Sequence, residues 1–107
     1  MAKIEWEDQA KFQFRHFVKN ARLEFGEKTA KRWLEEIITK EWRLERYPES
    51  YPPEELLSGR KNFYRMCHLI NRRFKLIYYY DKYTDTIFIV DIWDTKCNPQ
   101  NLIRRIK

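Results

Sequence analysis

Residues 62–93 read NFYRMCHLINRRFKLIYYYDKYTDTIFIVDIW, and this stretch decides the fold. Its aromatic and β-branched residues recur with a period of two in three runs, 62–70, 73–80 and 86–93, which predicts three strands. Asn71 and Arg72 separate the first pair of runs and residues 82–85 the second, so both connections are short enough for antiparallel hairpins. Working toward the N-terminus, the period changes to that of a helix. Ala30, Trp33, Leu34, Ile37, Ile38 and Leu44 form one apolar stripe, which must end near Tyr47 because Pro48, Pro52 and Pro53 cannot continue it. Ala10, Phe14, Phe17, Val18, Ala21 and Phe25 form a second stripe, with Asp8 as the expected N-cap and Gly26 as the terminator. A linker at 26–28 makes the two helices an antiparallel hairpin. Ile4 and Trp6 suit a short first strand. Beyond the last long strand, Asn98-Pro99 is a cap followed by proline at the first helical position, opening a short helix with Leu102, Ile103 and Ile106 apolar.

The expected fold class is therefore α+β, in the order β-αα-βββ with a short C-terminal helix. An N-terminal helical hairpin packs on one face of a small, mostly antiparallel sheet, in one domain spanning 1–107. Strand alternation then sorts side chains onto faces. Tyr64, Met66, His68, Ile70, Phe74, Leu76, Tyr78, Tyr80, Phe88, Val90 and Ile92 are expected beneath the helices. Phe63, Arg65, Cys67, Leu69, Arg73, Lys75, Ile77, Tyr79, Ile87, Ile89, Asp91 and Trp93 are expected on the other face, left uncovered and suited to binding. On this parity His68 is a packed core histidine, Tyr79 is the one member of Tyr78-Tyr79-Tyr80 available to a ligand, and Trp6, Trp33 and Trp42 are packing residues.

Charge points to the same half of the chain. The formal net charge is +6, but residues 1–55 carry 11 Lys/Arg against 12 Asp/Glu, whereas residues 56–107 carry 11 against four. No acid occurs between Leu56 and Tyr80, where Arg60, Lys61, Arg65, Arg72, Arg73 and Lys75 fall. Such a gradient implies a polyanion or an acidic protein as partner. Other classes are excluded. Two glycines cannot build a phosphate loop or a dinucleotide fingerprint. Cys67, Cys97, His16 and His68 have no metal-ligand spacing, so no cofactor is expected. The start of the chain lacks the apolar core of a secretory signal and no long apolar run occurs, so a cytoplasmic protein with no membrane partner is expected.

These residues in this order resemble the RelE/ParE superfamily of bacterial type II toxins. The likeness rests on Leu44-x-x-Tyr47-Pro48, on Arg60 ahead of Phe63-Tyr64-Arg65-Met66, on Arg73-Phe74-Lys75-Leu76-Ile77-Tyr78, and on the closing Trp93-Asp94-Thr95-Lys96-Cys97-Asn98-Pro99. It runs from Ile4 to about Leu102. For the RelE-like branch, the resemblance implies a ribosome-dependent, metal-independent mRNA endonuclease, in which a ribose 2′-oxygen attacks the adjacent phosphate. That reaction needs a base near the 2′-hydroxyl, cations around the phosphorane and an acid for the leaving oxygen. Carried over by position, Arg65, Lys75 and Lys96 are the catalytic cations. Tyr79 stands in for the acid, because the C-terminal segment offers Gln100, Asn101 and Leu102 where the family uses tyrosine. Cys67 stands where the branch generally has a further lysine. Arg60, Lys61, Arg72, Arg73 and Trp93 are the expected RNA contacts.

The ParE-like branch implies inhibition of DNA gyrase and requires no nuclease set. A non-enzymatic nucleic-acid-binding module and a toxin that has lost its activity are further alternatives. The resemblance also implies an antitoxin whose disordered, acidic segment wraps the toxin, and Ile77, Ile87, Ile89 and Trp93 on the uncovered face are the expected apolar contacts for it. The partners expected are thus an antitoxin, together with the ribosome and mRNA or, alternatively, gyrase.

Overall fold

The computed structural model describes residues 1–106. The chain runs β1 (Lys3–Trp6), α1 (Asp8–Phe25), α2 (Glu27–Arg46), a 3-10 turn at Glu55–Leu57, β2 (Tyr64–Leu69), β3 (Phe74–Asp81), β4 (Thr86–Asp94) and α3 (Pro99–Arg105). The four strands form one sheet in the order β1-β4-β3-β2, with β1 parallel to β4 and the other pairs antiparallel. This is the α+β architecture read from the sequence. Among the described residues no helix is long and apolar enough to cross a membrane.

Local chemistry sets the element ends. Gly26 alone joins α1 to α2, at a φ of 94° that a side-chain-bearing residue rarely adopts. Asp8 is the first residue of α1 rather than its cap; Glu7 takes the cap position and makes no side-chain bond there. Asn98 caps α3 as expected, its side chain accepting from the Gln100 backbone N–H at 3.0 Å. The β2–β3 turn is tighter than its sequence suggests: Ile70, Asn71 and Arg72 are all left-handed, with φ of 51°, 52° and 65°. For β-branched Ile70 that conformation is strained. The α2 helix holds it in place. Glu36 accepts from the Ile70 backbone N–H at 2.8 Å, and Arg32 donates to Asn71 Oδ1 at 2.8 Å.

The core has two parts, one on each face of the sheet, and this overturns the expectation of an uncovered face. Under the hairpin, Trp33, Ile37 and Leu44 pack on Cys67, Leu69, Leu76, Tyr78, Ile87, Ile89 and Ile92. On the opposite face, Leu57 with Leu102 and Ile106 cover Tyr64, Ile77, Val90 and Trp93. Parity fails in β2 and in the first half of β4. In β2, Cys67 pairs with Leu76 and His68 with Lys75, so Cys67 and Leu69 lie under the helices while Tyr64, Met66 and His68 take the α3 face. Both faces of β2 are buried, and alternation of polarity therefore carries no sign. In β4, Ile77 sits opposite Asp91 but Tyr78 sits opposite Ile89. Val90 is the extra residue of a β-bulge, which turns Ile87 and Ile89 toward the helices and Phe88 toward α3.

The helices also depart from their expected stripes. Phe25, Leu34, Ile38 and Trp42 are exposed, not packed. The α2 helix buries only the narrower set Ala30, Trp33, Ile37 and Leu44.

Candidate functional site

The α3 face holds charge inside an apolar surround. From the loop before β2, Pro53 bridges to Arg65, and the Glu54 backbone N–H donates to the Tyr64 carbonyl at 2.9 Å. This extra edge strand inserts the Glu54 carboxylate beneath the fold, where it is 5% exposed. Lys75 Nζ donates to both its oxygens, at 2.7 and 3.2 Å. His68 is the cross-strand partner of Lys75 on the same face and remains partly open to solvent. Burial first, and then the Arg72 and Lys75 charges, hold its imidazole below the usual histidine value against the opposing pull of Glu54. It is therefore a neutral imidazole at neutral pH, able to accept a proton. Two of the three ammonium hydrogens of Lys75 are used by Glu54, and the third is available to an anion.

A second enclosed pair lies on the same face. Arg105 Nε donates to Asp91 Oδ2 at 2.8 Å, while Asp91 Oδ1 is buried with no partner. Burial raises the Asp91 carboxyl, and the Arg105 hydrogen bond opposes that rise. The guanidinium of Arg105 also lies over the Trp93 ring, 4.9 Å from its centroid. Arg60 donates to the carbonyls of Ile103 and Ile106, closing the C-terminal end of α3. These contacts fasten α3 to the sheet.

The residues expected to act together are dispersed. Lys75 is on the α3 face, but Arg65 is not: it projects at the sheet edge on the helix side, donating to the Tyr51 carbonyl at 2.8 Å and stacking 4.7 Å from Phe63. Tyr79 shares the α3 face but is packed between Phe88 and Tyr64, and burial raises its phenol. Four residues along β3 also separate it from Lys75 by about 13 Å, too far to serve the same phosphodiester. Lys96 follows β4 at the sheet end, exposed, in a cleft of about 450 Å³ with Arg73, Asp94, Phe17, Trp33 and Phe74. Arg73 is engaged there by Asp94 at 2.9 and 3.1 Å, and that contact depresses the Asp94 carboxyl. Lys61 and Arg72 are exposed, Arg60 is turned to α3, and Trp93 is only 5% exposed beneath it.

His68, expected in the helix-side core, is instead the neighbour of Lys75. Glu54 carried no signal at all in the sequence, since it lies among prolines outside any periodic run. Cys67 is buried beneath the hairpin, its thiol pushed up to about 12 by burial. Among the described residues no group of three or more His, Cys, Asp or Glu is placed to hold a metal ion.

A helical hairpin on one face of a four-stranded sheet and a short helix on the other define an α+β fold found in solved bacterial toxins. The structure is similar to that of the chromosomal ParDE TA system from P. aeruginosa, with a TM-score of 0.67 and 15% identity over 88% of this chain and 96% of that one. It is similar to a metal-bound toxin from Helicobacter pylori, with a TM-score of 0.65 and 23% identity over 90% and 97% of the two chains. The isolated E. coli RelE toxin gives 0.60 and 14% over the whole of both. Residues 4–99 match the model of the ParE toxin of type II toxin–antitoxin systems, parDE, and the chain belongs to that family. No curated protein matches the sequence.

Proposed function

We propose that this ParE-family chain is the toxic half of a toxin–antitoxin pair and that it arrests translation by cutting mRNA on the ribosome. The observation that carries this reading is the cross-strand pairing of His68 with Lys75, whose ammonium is fixed by the enclosed Glu54 carboxylate. In the proposed reaction the neutral His68 imidazole takes the proton of a ribose 2′-hydroxyl. The freed oxygen attacks the adjacent phosphorus, and the 5′-oxygen leaves with a proton taken from water. The product ends are a 2′,3′-cyclic phosphate and a 5′-hydroxyl. The free N–H of Lys75 is directed at the charge that develops on the phosphorane, and its two bonds to Glu54 keep it from reorganising as that charge grows. The exposed Lys61 and Arg72 supply phosphate contacts to the strand.

The acid-free stretch from Leu56 to Tyr80 supports a nucleic-acid target, and the resemblance of its strand motifs to the RelE-like branch favours RNA. The family match over residues 4–99 favours a second reading, in which the same fold binds DNA gyrase and cleaves nothing. The two separate in one experiment: the protein is expressed inducibly while mRNA 5′ ends are mapped and plasmid supercoiling is assayed. New 5′ ends at ribosome-occupied codons, lost on His68→Gln, are expected. Blocked supercoiling with intact mRNA contradicts the nuclease. An antitoxin is proposed as the partner that neutralises the chain.

A further inference from the structure

The α3 face carries a cation beyond those in the proposed reaction. Lys75 pairs across the sheet with His68 on one side and with Trp93 on the other. Directly paired side chains stand about 5 Å apart, so the Trp93 ring is the next group along this row. The Arg105 guanidinium lies over that ring, 4.9 Å from its centroid. His68, Lys75, Trp93 and Arg105 therefore succeed one another across the α3 face, whereas Arg65 and Lys96 lie elsewhere.

Arg105 is not held as in a pairing built for stability alone. Arginine and carboxylate bind most strongly as two parallel forks, each oxygen taking one N–H. Here Nε and Nη2 both donate to Asp91 Oδ2, at 2.8 and 2.5 Å, and Oδ1 is buried without a partner. Asp91 is fully buried opposite Ile77, next to the Val90 bulge. Bulges beside functional sites re-aim side chains. Among the described residues Nη1 of Arg105 makes no hydrogen bond, and the Arg105 side chain is 31% exposed. The guanidinium thus keeps N–H groups for an anion from outside.

We propose that Arg105 binds the RNA phosphate adjoining the one that is cut, with Asp91 as its positioning residue. The inference rests on the nuclease reading above. A planar fork with free N–H groups suits a phosphate, whose oxygens can take two of them at once. Stacking on Trp93 and the bonds to Asp91 fix the guanidinium before the strand arrives, which lowers the ordering cost of binding.

The test replaces the pair in the full chain by apolar residues, Arg105→Met with Asp91→Val, which leaves the net charge unchanged. Such replacements commonly preserve a fold, and hydrogen exchange in α3 checks that here. The probe is a fluorescent single-stranded RNA carrying 2′-O-methyl groups, which cannot be cut, read by polarisation at increasing salt. The double variant should bind it about tenfold more weakly, and the slope of log Kd against log salt should fall by about 0.7, the share of one phosphate contact on a single strand. For cleavage of ribosome-bound mRNA, KM should rise about tenfold with kcat within about twofold, because the contact is made before the phosphorane forms. Arg105→Lys, which keeps a cation, should keep the wild-type slope. If α3 frays in the double variant, Asp91→Asn is compared with Asp91→Asn plus Arg105→Met, and the same loss is expected between them. An unchanged slope and KM, or a loss confined to kcat, overturns the proposal. So does a double variant that loses binding to a poly-Glu peptide while its RNA binding stays as in the wild type. The expected loss of RNA binding in a chain that cuts nothing would sink the nuclease reading alone; cleavage with unaltered KM and slope in the double variant would sink this inference alone.

Discussion

The sheet is buried on both faces, but the two faces are built from different chemistry. Beneath the hairpin, Leu76, Tyr78, Ile87, Ile89 and Ile92 meet Trp33, Ile37 and Leu44, and the hydroxyl of Tyr78 reaches out to the Pro48 carbonyl at the margin. Beneath α3, Ile77, Val90, Trp93 and Leu102 share their space with Glu54–Lys75 and Asp91–Arg105. The hairpin face is what hydrophobic burial alone would assemble. The α3 face retains charged pairs, although apolar replacements of such pairs are commonly neutral or stabilising. Charge kept under those conditions points to chemistry, and His68 stands beside it.

The largest expected effect is on His68. Replacing it with Gln should lower RNA cleavage by about 10²–10⁴-fold, the usual worth of a general base, with no change in thermal melting. A comparable fall in melting temperature would make His68 a packing residue. Lys75→Ala should cost about 3–5 kcal/mol in denaturant unfolding, because it strands the Glu54 carboxylate in an apolar surround. The double variant Lys75→Met with Glu54→Met should recover that stability while remaining inactive, which separates the stabilising role of the pair from its chemical one.

Leu76→Ala, in the hairpin face, should destabilise the whole fold by about 2–5 kcal/mol. Leu102→Ala should instead raise hydrogen exchange first in α3, leaving the hairpin amides protected. Uniform loss of protection in both variants would mean that the two faces form one cooperative core. Acidification should weaken stability first and cleavage at lower pH. With the folded His68 value held below 6.5, cleavage persists below pH 6.5 and falls as the pH drops through the depressed value. Stability is unaffected by this group above 6.5 and is lost as the pH falls below it, because the unfolded chain takes the proton first. The smallest effect belongs to the α3 cap: Asn98→Ala should cost about 1 kcal/mol, read as fraying of α3.

The elements were legible because period and punctuation agreed. Proline after Tyr47, Gly26 between two apolar stripes and Asn98-Pro99 each mark an end that the structure has. What sequence could not supply was the face of each strand. In Tyr64-Arg65-Met66-Cys67-His68-Leu69 the buried residues are Tyr64, Met66, Cys67 and Leu69, two on each face, so no alternation exists to be read. In β4 the extra residue Val90 reverses parity midway, and nothing in a run of aliphatic residues marks it. Lys75 was assignable to its sheet face because β3 alternates cleanly. Glu54 was not, since its place depends on the pairing of Pro53 with Arg65, a contact between loop and edge strand. Leu34 and Ile38 read as core in the sequence, whereas α2 buries a narrower face.

The contrast between Arg65 and His68 tests the account most directly, since alternation places Arg65 beside Lys75 and the structure places His68 there. The measurement is cleavage of ribosome-bound mRNA by purified Arg65→Ala and His68→Gln variants that melt like the wild type. The account predicts that Arg65→Ala cuts at close to the wild-type rate and that His68→Gln does not cut. Retained cleavage by His68→Gln together with an inactive Arg65→Ala would contradict it.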